Sequence, residues 1–114
     1  MKRRIARRLR RAFAGTVVTV VAGMPALAVG ATDGEAIYAA VCVRCHGPGE
    51  YGAPKLGDRV AWQPRFHEGV DHLLDQAING LGAMPPRGGK DDLGDVELRA
   101  AIVHMLRAAG FEAE

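Results

Sequence analysis

Disulfides can do little for this chain: it has two cysteines among 114 residues, and both fall within one five-residue stretch, so a disulfide-stapled small fold is excluded. Aromatic residues make up only 5% of the composition, with a single tryptophan, so an aromatic-rich core is not available either. No stretch alternates apolar and polar residues in the manner of a half-buried strand, which removes sandwiches and barrels from consideration. Internal repeats, a glycine-rich phosphate loop and a hydrolytic triad are also missing. Positive charge is scarce over most of the chain. Of the 15 Lys and Arg residues, seven (Lys2, Arg3, Arg4, Arg7, Arg8, Arg10 and Arg11) lie in the first eleven positions.

That basic cluster precedes the mostly apolar run from Ala12 to Val29, the layout of an export signal. Ala26-Leu27-Ala28 fits a cut after Ala28, and Val29-Gly30-Ala31 fits one after Ala31, taken here as the boundary. Residues 1–31 are therefore expected to be an N-terminal export signal peptide, and residues 32–114 the functional domain. The alternative is retention as a membrane anchor through residues 12–29, since about eighteen residues approach the length that crosses a bilayer. Gly15, Gly23, Thr16, Thr19 and Pro25 argue against it. Without residues 1–31 the chain has 8 basic and 13 acidic residues, a formal charge of −5. An acidic domain lacks the basic footprint of a nucleic-acid binder, and its electrostatic steering runs toward a positive patch on a partner.

What is there is Cys42-Val43-Arg44-Cys45-His46. On a helical turn, cysteines three apart are surface neighbours, and both can form thioethers with one porphyrin edge while His46 reaches the iron. This is the c-type haem attachment signature; the competing readings are a chance match or a thioredoxin-like dithiol. Context favours haem. A domain this small has a core that supplies only about 3 to 5 kcal/mol by itself, and a covalently held apolar macrocycle serves it as core and cross-link together.

Along the domain, Thr32-Asp33-Gly34-Glu35 has capping-box spacing, with Thr32 as N-cap, and predicts a first helix from about Asp33 into the haem motif. Gly47 to Asp58 is rich in turn formers and reads as loop. The backbone around Gly52, Ala53 and Pro54 either accepts the His46 Nδ1 proton, as partners behind a metal ligand do, or is a plain solvated turn. Asp58 caps a short helix through Trp62 and Phe66, limited by Pro64, and Gly69 separates it from a helix over 70–79 that stops at Asn79-Gly80. Trp62 either packs on the haem and donates to a propionate, with Arg59 or Arg65 nearby, or is a core aromatic without that contact. Leu81 to Pro86 reads as extended and irregular, offering Met84 from a loop. The segment from Asp95 to Ala109 is the longest predicted helix, closed by Gly110. Met105 shares its apolar stripe with Leu98 and Ile102, whereas His104 falls off that stripe and, like His67 and His72, reads as solvated. With Met1 and Met24 in the signal, Met84 becomes the second axial ligand beside His46.

These residues resemble the class I cytochromes c, and more narrowly the cytochrome c5 family. The resemblance rests on Ile37-Tyr38, the haem motif, Gly52-Ala53-Pro54-Lys55, Ala61-Trp62 with Pro64-Arg65, Gly80-Leu81-Gly82 and Ala83-Met84-Pro85-Pro86. It implies an all-α fold of about three to five short helices wrapped around one covalent haem c, with His46 and Met84 as the iron ligands. The implied role is one-electron transfer in the periplasm, without a small-molecule substrate or nucleic acid, by a monomer or weak dimer. A membrane-bound electron donor and a terminal oxidase or reductase are the expected partners. The alternatives are a haem enzyme or gas-binding sensor with a labile sixth ligand, and a fixed subunit of an oxidase or reductase complex. One departure stands out: family members often carry a second cysteine pair just after Met-Pro-Pro, and Gly88-Gly89-Lys90-Asp91-Asp92 has none.

Overall fold

In a computed structural model, residues 14–23 and 33–114 are described. Both expected cleavage sites, the basic cluster and Thr32 lie outside the described residues. Residues 14–23 form no helix or strand, and among the described residues no helix is long and apolar enough to cross a membrane.

The helical segment that carries the cysteines starts as α1 (Gly34–Ile37), passes through a π-helical turn (Tyr38–Cys42) and ends as α2 (Val43–His46). Its N-cap is Asp33 rather than the expected Thr32. The Asp33 carboxylate accepts the Ala36 N–H at 3.1 Å, meeting one of the unpaired donors of the first turn. The π turn was not expected: the Val43 N–H donates to the Tyr38 carbonyl, five residues back. One extra residue in the turn rotates the Cys42–His46 segment relative to α1.

The remaining helices are α3 (Arg59–Phe66), α4 (Gly69–Asn79) and α5 (Asp95–Ala108). Asp58 caps α3 as predicted, accepting the Ala61 N–H at 3.0 Å. At the start of α5 the Glu97 carboxylate accepts the Gly94 N–H at 2.8 Å, tightening the first turn. Among the described residues the extended pairing amounts to one isolated bridge, Leu81 with Met84.

α5 is the hub. Its Leu98, Ala101, Ile102, Met105 and Leu106 are buried, together with Tyr38, Trp62, Leu73, Ala77 and Leu93 from the elements around it. α1 and α4 both pack on α5. Where α1 crosses, a Cβ on Gly34 would stand 2.1 Å from the Ala100 carbonyl oxygen, so the helices approach this closely only because residue 34 has no side chain. The same crossing brings Tyr38 onto the flank of α5. Its ring lies 5.4 Å from that of His104, which is therefore half-buried against an aromatic instead of solvated. The far end of α5 is held by Arg59, whose guanidinium donates to the Gly110 carbonyl at 2.6 Å and sits 4.1 Å over the Phe111 ring. A cation on the last carbonyls of a helix also meets the negative end of its dipole.

Candidate functional site

Cys42 and Cys45 are both half-buried, at the end of the π turn and within α2. Burial pushes the Cys42 thiol up to about 11, so in the folded chain it is almost wholly protonated at neutral pH and a poor nucleophile. The nearby Tyr38 hydroxyl is raised as well, by burial and then by the neighbouring Cys42.

His46 closes α2, and its ring is fixed from two sides. Its Nδ1 lies 2.8 Å from the carbonyl oxygen of Pro54, a buried residue. A carbonyl only accepts, so Nδ1 carries the proton and Nε2 keeps a free lone pair, the state a metal ligand needs. The loop returns to the motif a second time, with the Leu56 N–H donating to the His46 carbonyl at 2.8 Å. Trp62, 4% exposed, stacks on the imidazole with centroids 5.7 Å apart and planes inclined by 18°. The indole N–H donates to the Lys55 carbonyl at 3.0 Å, so that proton is engaged within the protein and not held for a propionate. Arg65 stays on its own helix, donating to the Ala61 carbonyl from an exposed position.

Met84 is not in an irregular extended loop. Leu81 and Met84 exchange both backbone hydrogen bonds, at 3.0 and 2.9 Å, closing a four-residue turn through Gly82 and Ala83. This turn folds back on the end of α4: a Cβ at Gly80, whose φ is +82°, would stand 2.9 Å from the Met84 carbonyl oxygen. The Met84 side chain is half-buried against the core. Next comes a tight 3₁₀ turn, Pro86–Gly89, that meets the haem-motif segment at Gly88, where a Cβ would lie 3.2 Å from Val41 Cγ1. The thioether-bearing turn thus packs on the end of α4, and the turn that follows it packs on the segment that carries the cysteines.

The donor set suits a haem better than a bare ion. No cluster of three or more His, Cys, Asp or Glu side chains gathers among the described residues. What the site has is one imidazole with a free Nε2, one thioether and two thiols at thioether spacing. Val70, Leu74 and Ile78 run along α4 at four-residue steps and, like Cys42 and Met84, are partly buried against the one core. An apolar stripe left half exposed on the same core as Cys42 and Met84 fits a large apolar macrocycle that brings its own four equatorial nitrogens. Of the remaining histidines, His67 is exposed and His72 keeps its Nε2 2.8 Å from the Glu68 carboxylate. Met105 is 4% exposed, packed in the core.

Comparison with known proteins agrees with this geometry. The family described as cytochrome C oxidase, cbb3-type, subunit III matches residues 29–105. Cytochrome c5 of Azotobacter vinelandii is 47% identical over 78 residues, covering 67% of this chain and 94% of that protein. Cytochrome c5 of Ectopseudomonas mendocina is 49% identical over 78 residues, covering 67% of this chain and 90% of that one. Among solved structures, the cytochrome c in an electron-transfer complex with nitrite reductase superposes with a TM-score of 0.64 at 48% identity, covering 68% of this chain and 94% of that one. The chain belongs to the class I cytochromes c, of the c5 type. It is an all-α electron carrier with one covalently bound haem c, not an enzyme.

Sequence reasoning missed two participants. Lys55 acts through its backbone carbonyl, which no side-chain pattern reveals. Arg87 bridges the segment after Met84 to the start of α5, and the sequence offered only an arginine eight residues before Asp95.

Proposed function

We propose that this cytochrome c carries electrons in the periplasm, its haem joined to Cys42 and Cys45 and its iron ligated by His46 and Met84. The observation that carries the reading is the 2.8 Å contact between His46 Nδ1 and the Pro54 carbonyl, which leaves Nε2 as a lone-pair donor on the helical segment that also carries both cysteines. When bound, the haem supplies the one-electron couple of its iron. The chain's own residues do the rest. His46 is held in one tautomer by Pro54 and in one plane by Trp62, so its geometry need not change between redox states. Met84 would offer a soft thioether that favours the ferrous state, and half-buried Leu74 and Ile78 would give the haem apolar cover, both of which raise the potential. His46 and Met84 would both hold the iron, so a haem bound here would offer no open coordination position to a substrate.

Export by residues 1–31 is part of this proposal, supported by the basic cluster and apolar run that precede an acidic domain. A membrane-bound donor and a terminal reductase or oxidase are the partners it suits, the reductase supported by the nitrite reductase complex of the structural neighbour. The second reading, a fixed oxidase subunit, draws on the family description; that the chain spans 94% and 90% of two small c5 proteins favours the carrier.

The test is mass spectrometry of protein made in an export-competent host. The expected species is residues 32–114 plus one haem, with the haem retained on denaturation. Intact residues 1–31 on a membrane-bound form would overturn the export reading, and loss of all colour on acid-acetone extraction would overturn covalent attachment.

A further inference from the structure

Arg87 adopts a conformation that its sequence position does not need. Its φ is +55°, the left-handed region that is strained for a non-glycine residue, although glycines occupy the next two positions. Something in the side chain offsets that strain. The side chain, only 24% exposed, forks at its guanidinium: Nη1 donates to the Leu93 carbonyl at 2.7 Å, and Nη2 pairs with the Asp95 carboxylate at 2.7 Å. Leu93 is 4% exposed in the core, and Asp95 is the first residue of α5, where a negative charge already favours the helix. A planar two-pronged donor fits this pair of acceptors as no single-point cation does.

The fork closes the stretch between Met84 and α5. On its N-terminal side, Met84 is locked to Leu81 by two backbone bonds, and the Gly88 N–H donates to the Pro85 carbonyl at 3.1 Å. On its C-terminal side, the Lys90 N–H donates to the Arg87 carbonyl at 3.2 Å and the Leu93 N–H to the Lys90 carbonyl at 3.0 Å. Local turns hold each step to its neighbours, whereas the Arg87 side chain ties the thioether-bearing segment to the hub helix. There is no covalent link here, since both cysteines lie at the haem motif. We infer that Arg87 is a positioning residue for Met84: its fork to Leu93 and Asp95 sets how readily the Met84 thioether yields the iron to an external ligand. This rests on the reading of Met84 as an axial ligand.

The experiment is imidazole titration of the ferric holoprotein, followed optically, in wild type and variants. Losing both prongs frees the loop, so imidazole is expected to bind Arg87→Ala about tenfold tighter, the scale of a lost charge-assisted hydrogen bond. Arg87→Gly adopts the left-handed backbone without strain and should bind imidazole as tightly as Arg87→Ala. Arg87→Lys keeps the charge but loses the fork and should fall between. Arg59→Ala, which loosens the opposite end of α5, lowers stability and should leave imidazole affinity unchanged, separating positioning from general destabilisation. Wild-type affinity in Arg87→Gly, or equal tightening in Arg59→Ala, overturns the inference. If Arg87→Ala is not recovered with haem, Asp95→Asn removes one prong and is judged by the same criterion. Met84→Ala separates the two levels: if it binds imidazole no more tightly than wild type, the ligand assignment has failed; if it binds far more tightly while Arg87→Gly does not, only the role of Arg87 has failed.

Discussion

The imidazole of His46 and the indole of Trp62 lie stacked, 5.7 Å apart and within 18° of parallel. The indole reaches that position because its N–H is fixed to the Lys55 carbonyl, one residue beyond the Pro54 carbonyl that holds His46. One short loop therefore orients both rings, and the imidazole is braced by the indole.

Trp62→Phe keeps an aromatic face on His46 but leaves the Lys55 carbonyl without its donor. Denaturant unfolding of the holoprotein should show a loss of about 1 to 2 kcal/mol, with the ferric spectrum unchanged. Trp62→Ala removes the buried ring and should cost about 3 to 5 kcal/mol.

Gly34→Ala places a methyl 2.1 Å from the Ala100 carbonyl oxygen, a distance no rotamer relieves because the clash is with backbone. α1 must move off α5, and the expected loss is about 2 kcal/mol or more. A melting temperature within experimental error of wild type would show that the two helices do not meet as described.

Arg59→Ala removes the donor to Gly110 and the cation over Phe111 at the C-terminal end of α5. Unfolding should detect a loss of about 1 to 2 kcal/mol, and Arg59→Lys should recover part of it, since an ammonium supplies charge without the planar stack.

Elements with a side-chain signal were legible in the sequence. Asp58 before α3, Gly80 after α4 and Gly110 after α5 mark helix ends through capping oxygens or backbone freedom, and these boundaries appear in the structure within a residue. The π turn leaves no such mark, because a bond from Val43 to Tyr38 requires no particular side chain. Thr32 and Asp33 are adjacent residues with equal capping chemistry, and pattern alone does not choose between them. The Leu81–Met84 turn was hidden by the two prolines that follow it, which read as extension, while Gly82 at φ +56° permits the closure. His104 was misplaced because a helical count around α5 alone does not include α1, whose close crossing at Gly34 brings Tyr38 over that flank. At the site, the motif singles out Cys42, Cys45 and His46 by spacing alone, and the structure sets all three at the end of one helical segment. The fork of Arg87 spans eight residues between a turn and a helix start, a relationship set by the tertiary fold and not by any local period.

The central claim is that a haem held at Cys42 and Cys45 has its iron between His46 and Met84, and the most direct measurement is the ferric absorption spectrum of Met84→Ala beside that of Met105→Ala. The weak band near the red end that reports sulfur-to-iron ligation should be present in wild type, absent from Met84→Ala and retained in Met105→Ala, whose buried side chain serves the core. Survival of the band in Met84→Ala with its loss in Met105→Ala would contradict the account.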